Sequence, residues 1–204
     1  IQHFTFEVKS AKGTVYKGTT YFGFFSAQAL QNQKGIQDAK PYEPSRSEQE
    51  RGIINLKYPT EPPFPQKKMR MLDRIDLFVP DGGPNGLGFI RGSKKVDPDE
   101  WFFKAHFYQD PVTPGSLGVE AIIQLLKYAA TKRWGASPET VFKGMDAKHQ
   151  WLYRGQVVPK DKTVTVEAVI TEMDDSARSV RADGFLMVDG RVVYKLTDFT
   201  VKVK

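Results

Sequence analysis

Between Trp101 and Gln124 the chain reads WFFKAHFYQDPVTPGSLGVEAIIQ, and three groups in it have the types and spacing of an acid/base site. His106 changes charge near neutrality and can take or return a proton. Glu120 is the only charged residue in Leu117 to Leu126, LGVEAIIQLL, a run apolar nearly all round, as a buried helix is. A carboxylate there needs a partner or a proton, and such surroundings tend to raise its pKa toward a useful range. Pro114 and Gly115 stand at the mouth of that helix, where backbone N–H groups lack an intrahelical acceptor and the dipole is positive. Gly115 lets a carbonyl oxygen come close to its N–H. A base, a carboxyl group and a carbonyl-polarising donor are the parts needed to remove a proton α to a thioester and expel a β-hydroxyl.

The elements that must position these groups are legible in outline. The aromatic run around His106 (Phe102, Phe103, Phe107, Tyr108) predicts a strand that Asp110 to Gly115 breaks, with Ser116 opening the helix. Alternation at Val164, Val166, Ala168 and Ile170 predicts a strand, and Asp189-Gly190 predicts a tight hairpin. Thr5 to Val8 and Thr14 to Phe25 read as a hairpin around Ser10 to Gly13, followed by a short helix over Ser26 to Gln33. The Pro-rich stretch from Pro41 to Pro65 reads as an extended linker in which Ile53 to Leu56 dock. Three parts are expected: a hairpin and helix over 1–35, a linker over 36–65 and a catalytic domain over 66–204. Val15-Tyr16-Lys17-Gly18-Thr19 resembles Val193-Tyr194-Lys195-Leu196-Thr197, each after a Gly-containing turn, so the first part reads either as the tail of a preceding unit of the same fold or as an ordinary hairpin.

Other groups have duller readings. Gly82 to Gly88 is glycine-rich, but no Lys-Ser/Thr follows, so a hairpin loop is expected rather than a phosphate cradle. His3 and His149 lack metal-ligand spacing; His149 is expected to pack around Trp151 and Tyr153, and no metal site is expected. Asp110, before a proline in a tight turn, is expected to serve the backbone.

Absent cysteines exclude disulfides, thiol nucleophiles and Cys-ligated metals, and agree with a reducing, cytoplasmic setting. No apolar run approaches the roughly 18 residues of a membrane span. The start, Ile1-Gln2-His3-Phe4, carries neither a signal peptide nor an initiator methionine, and the segment reads as part of something longer. A net charge of +6 and a pI near 9.3 suit an acidic partner. Lys94-Lys95, Lys132-Arg133 and Lys160 to Lys162 are short and dispersed, and no nucleic-acid motif accompanies them, so no nucleic acid is expected. Lys132 and Arg133 end the helix, where cations complement the dipole.

HFYQDPVTPGSLGVE resembles the active-site motif of the β-hydroxyacyl-acyl-carrier-protein dehydratases. The similarity continues through Met69 to Arg74 as a first core strand, Asp97 to Phe103 as its lead-in, Gly155 to Pro159 as a later strand and Val188 to Tyr194 as a last hairpin. DGGPNGLGFI at 81–90 and WFFKAHFYQDPVTPGSLG at 101–118 are most similar to dehydratase domains of polyunsaturated fatty acid synthases and polyketide-type megasynthases.

The resemblance implies an α+β hot-dog fold, an antiparallel sheet wrapped around a long central helix. It implies a lyase of fatty acid or polyketide synthesis that dehydrates β-hydroxyacyl thioesters to trans-2-enoyl thioesters. His106, Glu120 and Gly115 would be its catalytic groups, with Phe107, Val112, Pro114 and Ser116 around the substrate. It implies no bound cofactor, because the substrate rides on the phosphopantetheine arm of acyl carrier protein, an acidic partner. Glu at 120, where the dehydratase/isomerase branch usually has Asp and the general dehydratase branch has Glu, supports the acid/base role and weakens any claim that this domain also isomerises the double bond. In such enzymes the histidine of one hot dog faces the carboxylate of a second, so a homodimer or pseudo-dimer is expected. The alternatives are a hot-dog thioesterase, which would release free acid, and a silent hot dog that scaffolds a pseudo-dimer.

Overall fold

The computed structural model describes residues 1–144 and 147–204, and the backbone divides into two units, Ile1–Gln33 and Lys34–Lys204. In the smaller unit β1 (Gln2–Ser10) pairs antiparallel with β2 (Gly13–Phe22), and α1 (Ala27–Gln31) follows. The Ser26 hydroxyl caps α1 by accepting from the Ala29 N–H at 3.2 Å.

The larger unit contains α2 (Arg46–Arg51), β3 (Ile53–Lys57), β4 (Arg74–Val79), β5 (Phe89–Lys95), α3 (Trp101–Ala105) and α4 (Gly115–Trp134). It continues with β6 (Phe142–Gly144), β7 (Gln150–Tyr153), β8 (Thr163–Asp174), β9 (Ser179–Val188) and β10 (Arg191–Val203). Among the described residues these eight strands form one antiparallel sheet in the order β3-β4-β5-β8-β9-β10-β6, with β7 also on β10.

Along β9 burial alternates strictly, and Val166, Ala168 and Ile170 of β8 face the same way, into the core. The 20-residue α4 packs against β5, β8, β9 and β10 and buries residues on almost every face, as its unbroken apolar run requires. Each fully buried Leu or Ile contributes about 1.5–3 kcal/mol. The helix approaches β10 closely at Gly118, where a β-carbon would lie 2.2 Å from the Tyr194 ring. This is the hot-dog arrangement.

The predicted β9–β10 hairpin forms: Asp189 and Gly190 both take positive φ (48° and 83°), as a two-residue turn of this kind requires. Lys132 and Arg133 lie in the last turn of α4, and Arg133 forks onto Asp175 at 2.9 and 2.6 Å.

Several expectations change. The aromatic run before His106 forms the short helix α3, because Phe102 and Phe103 are adjacent anchors into the core and strand alternation would have put one of them in water. The helix opens at Gly115, with Pro114 as its N-cap. The chain at Met69 to Asp73 is a 3-10 turn and an extended lead-in, and Gly155 to Pro159 is irregular.

Much of the expected linker is ordered into the larger unit. Ser45 and Glu48 form a capping box on α2, and β3 becomes the edge strand beside β4. The buried Glu48 carboxylate also accepts from the Gly83 N–H (2.8 Å) and the Tyr42 hydroxyl, fastening the β4–β5 hairpin loop. Tyr42 is tied in turn to the Arg91–Glu167 pair on the outer face of the sheet.

Candidate active site

His106 is the C-cap of α3. Its N–H donates to the Phe102 carbonyl at 3.0 Å, and the helix is pinned by buried Phe102 and Phe103 and by the Trp101 indole N–H on the Lys68 carbonyl. The ring is half-buried and stacks on Phe107 with centroids 3.9 Å apart. Its Nδ1 lies 3.1 Å from the Val112 carbonyl oxygen. A carbonyl only accepts, so in the neutral ring this contact selects the tautomer with the proton on Nδ1 and leaves a lone pair on Nε2.

The turn that follows is held from beneath. Gln109 takes a left-handed φ of 55°, Val112 is buried, and the Thr113 N–H donates to the Val157 carbonyl at 2.9 Å. This fixes Pro114 and Gly115 at the N-terminus of α4, where the first N–H groups have no intrahelical partner and no side chain caps them. The Tyr153 ring lies over Gly115: a β-carbon there would sit 3.4 Å from it. Phe107 and Ser116 are exposed, and Pro114 is half-buried.

Glu120 lies farther along the same helix, with its side chain 23% exposed. It is paired rather than isolated. Lys127 approaches Oε1 at 2.9 Å, and the Gln124 side-chain amide donates to the same oxygen at 3.0 Å. Gln124 is itself fully buried and bonded to the backbone at Met69 and Met71. The buried Tyr58 hydroxyl donates to the Gln124 carbonyl at 3.0 Å; burial, with the Glu120 charge second, pushes that phenol up.

His106 is thus tied to Val112, two residues before the N-cap Pro114, while Glu120 is tied to Gln124 and Lys127, and among the described residues no hydrogen bond or ion pair joins His106 to Glu120. Gln124, Lys127 and Tyr153 escaped the sequence reading as site residues. The first two were findable, since one or two turns along a helix returns to the face of Glu120. Tyr153 was not, because its strand reaches Gly115 only through the sheet.

His149 packs on Phe199 with centroids 4.8 Å apart, and its Nδ1 is 2.8 Å from the Ala147 carbonyl. Among the described residues no group of three His, Cys, Asp or Glu is placed to hold a metal, and no helix is long and apolar enough to cross a membrane.

A FabA-like domain model matches residues 64–197. A polyunsaturated fatty acid synthase polypeptide of Thraustochytrium sp. (strain ATCC 26185 / S-3) is 34% identical over 230 aligned residues, which take in 100% of this chain and 15% of that protein. The chain thus spans a small part of the curated relative it matches. Among solved structures, the dehydratase heterocomplex ApeI:P of Xenorhabdus doucetiae aligns with 68% of this chain and 86% of its own at 14% identity and a TM-score of 0.46. A thioesterase of Haemophilus influenzae aligns with 57% of this chain and 71% of its own at 13% identity and a TM-score of 0.40. With the family model covering most of its hot-dog unit and a relative aligned along its whole length, this chain belongs to the FabA-like domain family.

Proposed function

We propose that the chain dehydrates β-hydroxyacyl thioesters carried on the phosphopantetheine arm of acyl carrier protein, within a polyunsaturated fatty acid synthase or a related system. The observation that carries this reading is the His106 Nδ1 contact with the Val112 carbonyl at 3.1 Å, which leaves a lone pair on Nε2 of a histidine that precedes the uncapped N-terminus of α4 in the chain.

In the proposed reaction the thioester carbonyl oxygen accepts from the Gly115 N–H, and Nε2 of His106 takes the α-proton. The electron pair left on Cα forms the double bond as the β-hydroxyl departs. The hydroxyl takes up a proton from the His106–Glu120 system, directly or through a water held by Glu120, so one enoyl thioester and one water result. Phe107, Val112, Pro114 and Ser116 would border the acyl chain. Because the Glu120 carboxylate is bonded to Gln124 and Lys127 rather than to His106, the reading includes a second hot dog that brings the opposite partner to each site, in a homodimer or pseudo-dimer. The product of this reaction is the trans-2-enoyl thioester, and the Glu at 120 weakens the case for a further isomerisation.

The test is to incubate the protein with a short β-hydroxyacyl thioester and, separately, its enoyl counterpart, and to follow loss or gain of water by mass. The reading expects turnover in the wild type and at least about a 100-fold loss in His106→Ala and Glu120→Gln. Release of free acid would instead identify a thioesterase. Equal inertness of folded, dimeric wild type and variants would identify a silent scaffold.

A further inference from the structure

Next to the turn, the β1–β2 hairpin repeats the pairing register of the β9–β10 hairpin, although the turns themselves differ in backbone, with positive φ at Asp189 and Gly190 in one and at Gly13 in the other. In β1–β2 a two-residue turn, Ala11-Lys12, is followed by the pairs Ser10↔Gly13 and Lys9↔Thr14; Val15 is then skipped, and pairing resumes at Val8↔Tyr16 and Glu7↔Lys17. In β9–β10 the turn Asp189-Gly190 is followed by Val188↔Arg191 and Met187↔Val192; Val193 is skipped, and pairing resumes at Leu186↔Tyr194 and Phe185↔Lys195. The bulge thus falls on the same residue of the shared Val-Tyr-Lys sequence, and a bulge re-aims the side chains that follow it.

The next inward pair also corresponds: Phe6 faces Gly18, and Gly184 faces Leu196, one large apolar residue and one glycine in each. Along β1 the residues in phase with this pair are Phe4, Phe6 and Val8, while His3, Thr5, Glu7 and Lys9 point the other way.

What differs is cover. Val193 and Tyr194 are 0% and 1% exposed, because α4 lies on them with Gly118 against the Tyr194 ring. Their counterparts Val15 and Tyr16 are 61% and 43% exposed, and Phe4, Val8 and Phe22 are exposed on the same hairpin. A two-stranded hairpin presenting such a face is marginal in water by itself.

The geometry points to β1–β2 being the closing hairpin of a second sheet-and-helix unit of this fold, with its Phe4–Phe6–Val8–Val15–Tyr16 face a docking surface for the apolar central helix of that unit. The occupant is a hot-dog core that lacks its own last hairpin and sets a small residue of its helix against Tyr16, as Gly118 is set against Tyr194. A second copy of this chain does not fit, because its α4 is already covered by its own β9–β10.

The chain has no cysteine, so Val15→Cys introduces a single thiol, and Thr5→Cys places one on the opposite, polar face. Both are expected to react fast with a maleimide in the 204-residue protein. In the full-length gene product, with labelling read by mass on the peptide that carries residue 5 or 15, the Val15→Cys thiol is expected to slow by at least about tenfold while Thr5→Cys stays reactive. A benzophenone maleimide attached at Val15→Cys and photolysed there is expected to cross-link to an apolar helix outside residues 34–204. Unchanged Val15→Cys reactivity in the full-length product overturns the proposal, as does a cross-link within residues 34–204 or to a second copy.

Discussion

Gln124 lies one helical turn beyond Glu120 and holds its carboxylate: the buried amide donates from Nε2 to Glu120 Oε1 at 3.0 Å and to the Met69 carbonyl at 2.8 Å, while its Oε1 accepts from the Met71 N–H at 2.9 Å. One side chain thus ties α4 to the chain entering β4 and sets the direction of the carboxylate. An apolar residue here would fill the same space and satisfy none of the three groups.

Gln124→Ala leaves the buried Met71 N–H without its partner and removes the part-buried bond to the Met69 carbonyl, which costs about 1–3 kcal/mol. Urea unfolding should show that loss. If Gln124 also orients Glu120 for chemistry, kcat should fall further than KM rises at a temperature where the variant is fully folded. Unchanged kcat in a folded Gln124→Ala protein would reduce Gln124 to a structural role.

If each site takes His106 from one hot dog and Glu120 from its partner, inactive His106→Ala and Glu120→Gln proteins should complement each other. Random reassortment makes half the dimers mixed, each with one intact site, so about a quarter of wild-type activity should return on mixing. Size-exclusion chromatography with light scattering establishes the dimer first. A dimer that reassorts, shown by mixed labels, yet regains no activity would place both groups of a site in one chain.

Gly118→Ala should be destabilising although alanine is the better helix former by about 1 kcal/mol. The added methyl would meet the Tyr194 ring at 2.2 Å, and overpacking of this kind costs about 1–3 kcal/mol. Denaturant midpoints for Gly118→Ala, Tyr194→Leu and the double variant test this as a cycle. The double variant should be less destabilised than the two single losses added together.

Acid stability should depend on Glu48. Backbone N–H groups of Ser45 and Gly83, then the Ser45 hydroxyl, hold its carboxyl at about 2, against an ordinary value of 4.5. A folded-state pKa below the unfolded one means stability that is present above the unfolded value and lost as pH falls from about 4.5 toward about 2. Thermal midpoints of the wild type should therefore decline across that window, and Glu48→Gln should start lower and decline less. Parallel curves for the two proteins would rule out Glu48 as a source of the dependence.

The sequence alone determined what depends on local chemistry and periodicity. The apolar run around Glu120 can only be an enclosed helix, Asp189-Gly190 can only be a tight turn between strands, and a histidine, a proline-rich turn and a helix N-terminus come in that order along one short stretch. Tertiary structure decided what depends on partners far away in the chain. The residues around His106 became a helix because Phe102 and Phe103 both had core to fill, and β3 became a strand because β4 offered an open edge. The charge of Glu120 was visible, but its surroundings were set by how α4 lies against Met69 and Met71 and by where Lys127 reaches back. The tautomer of His106 was likewise invisible, because the Val112 carbonyl meets the ring only once the turn has folded back on the end of α3.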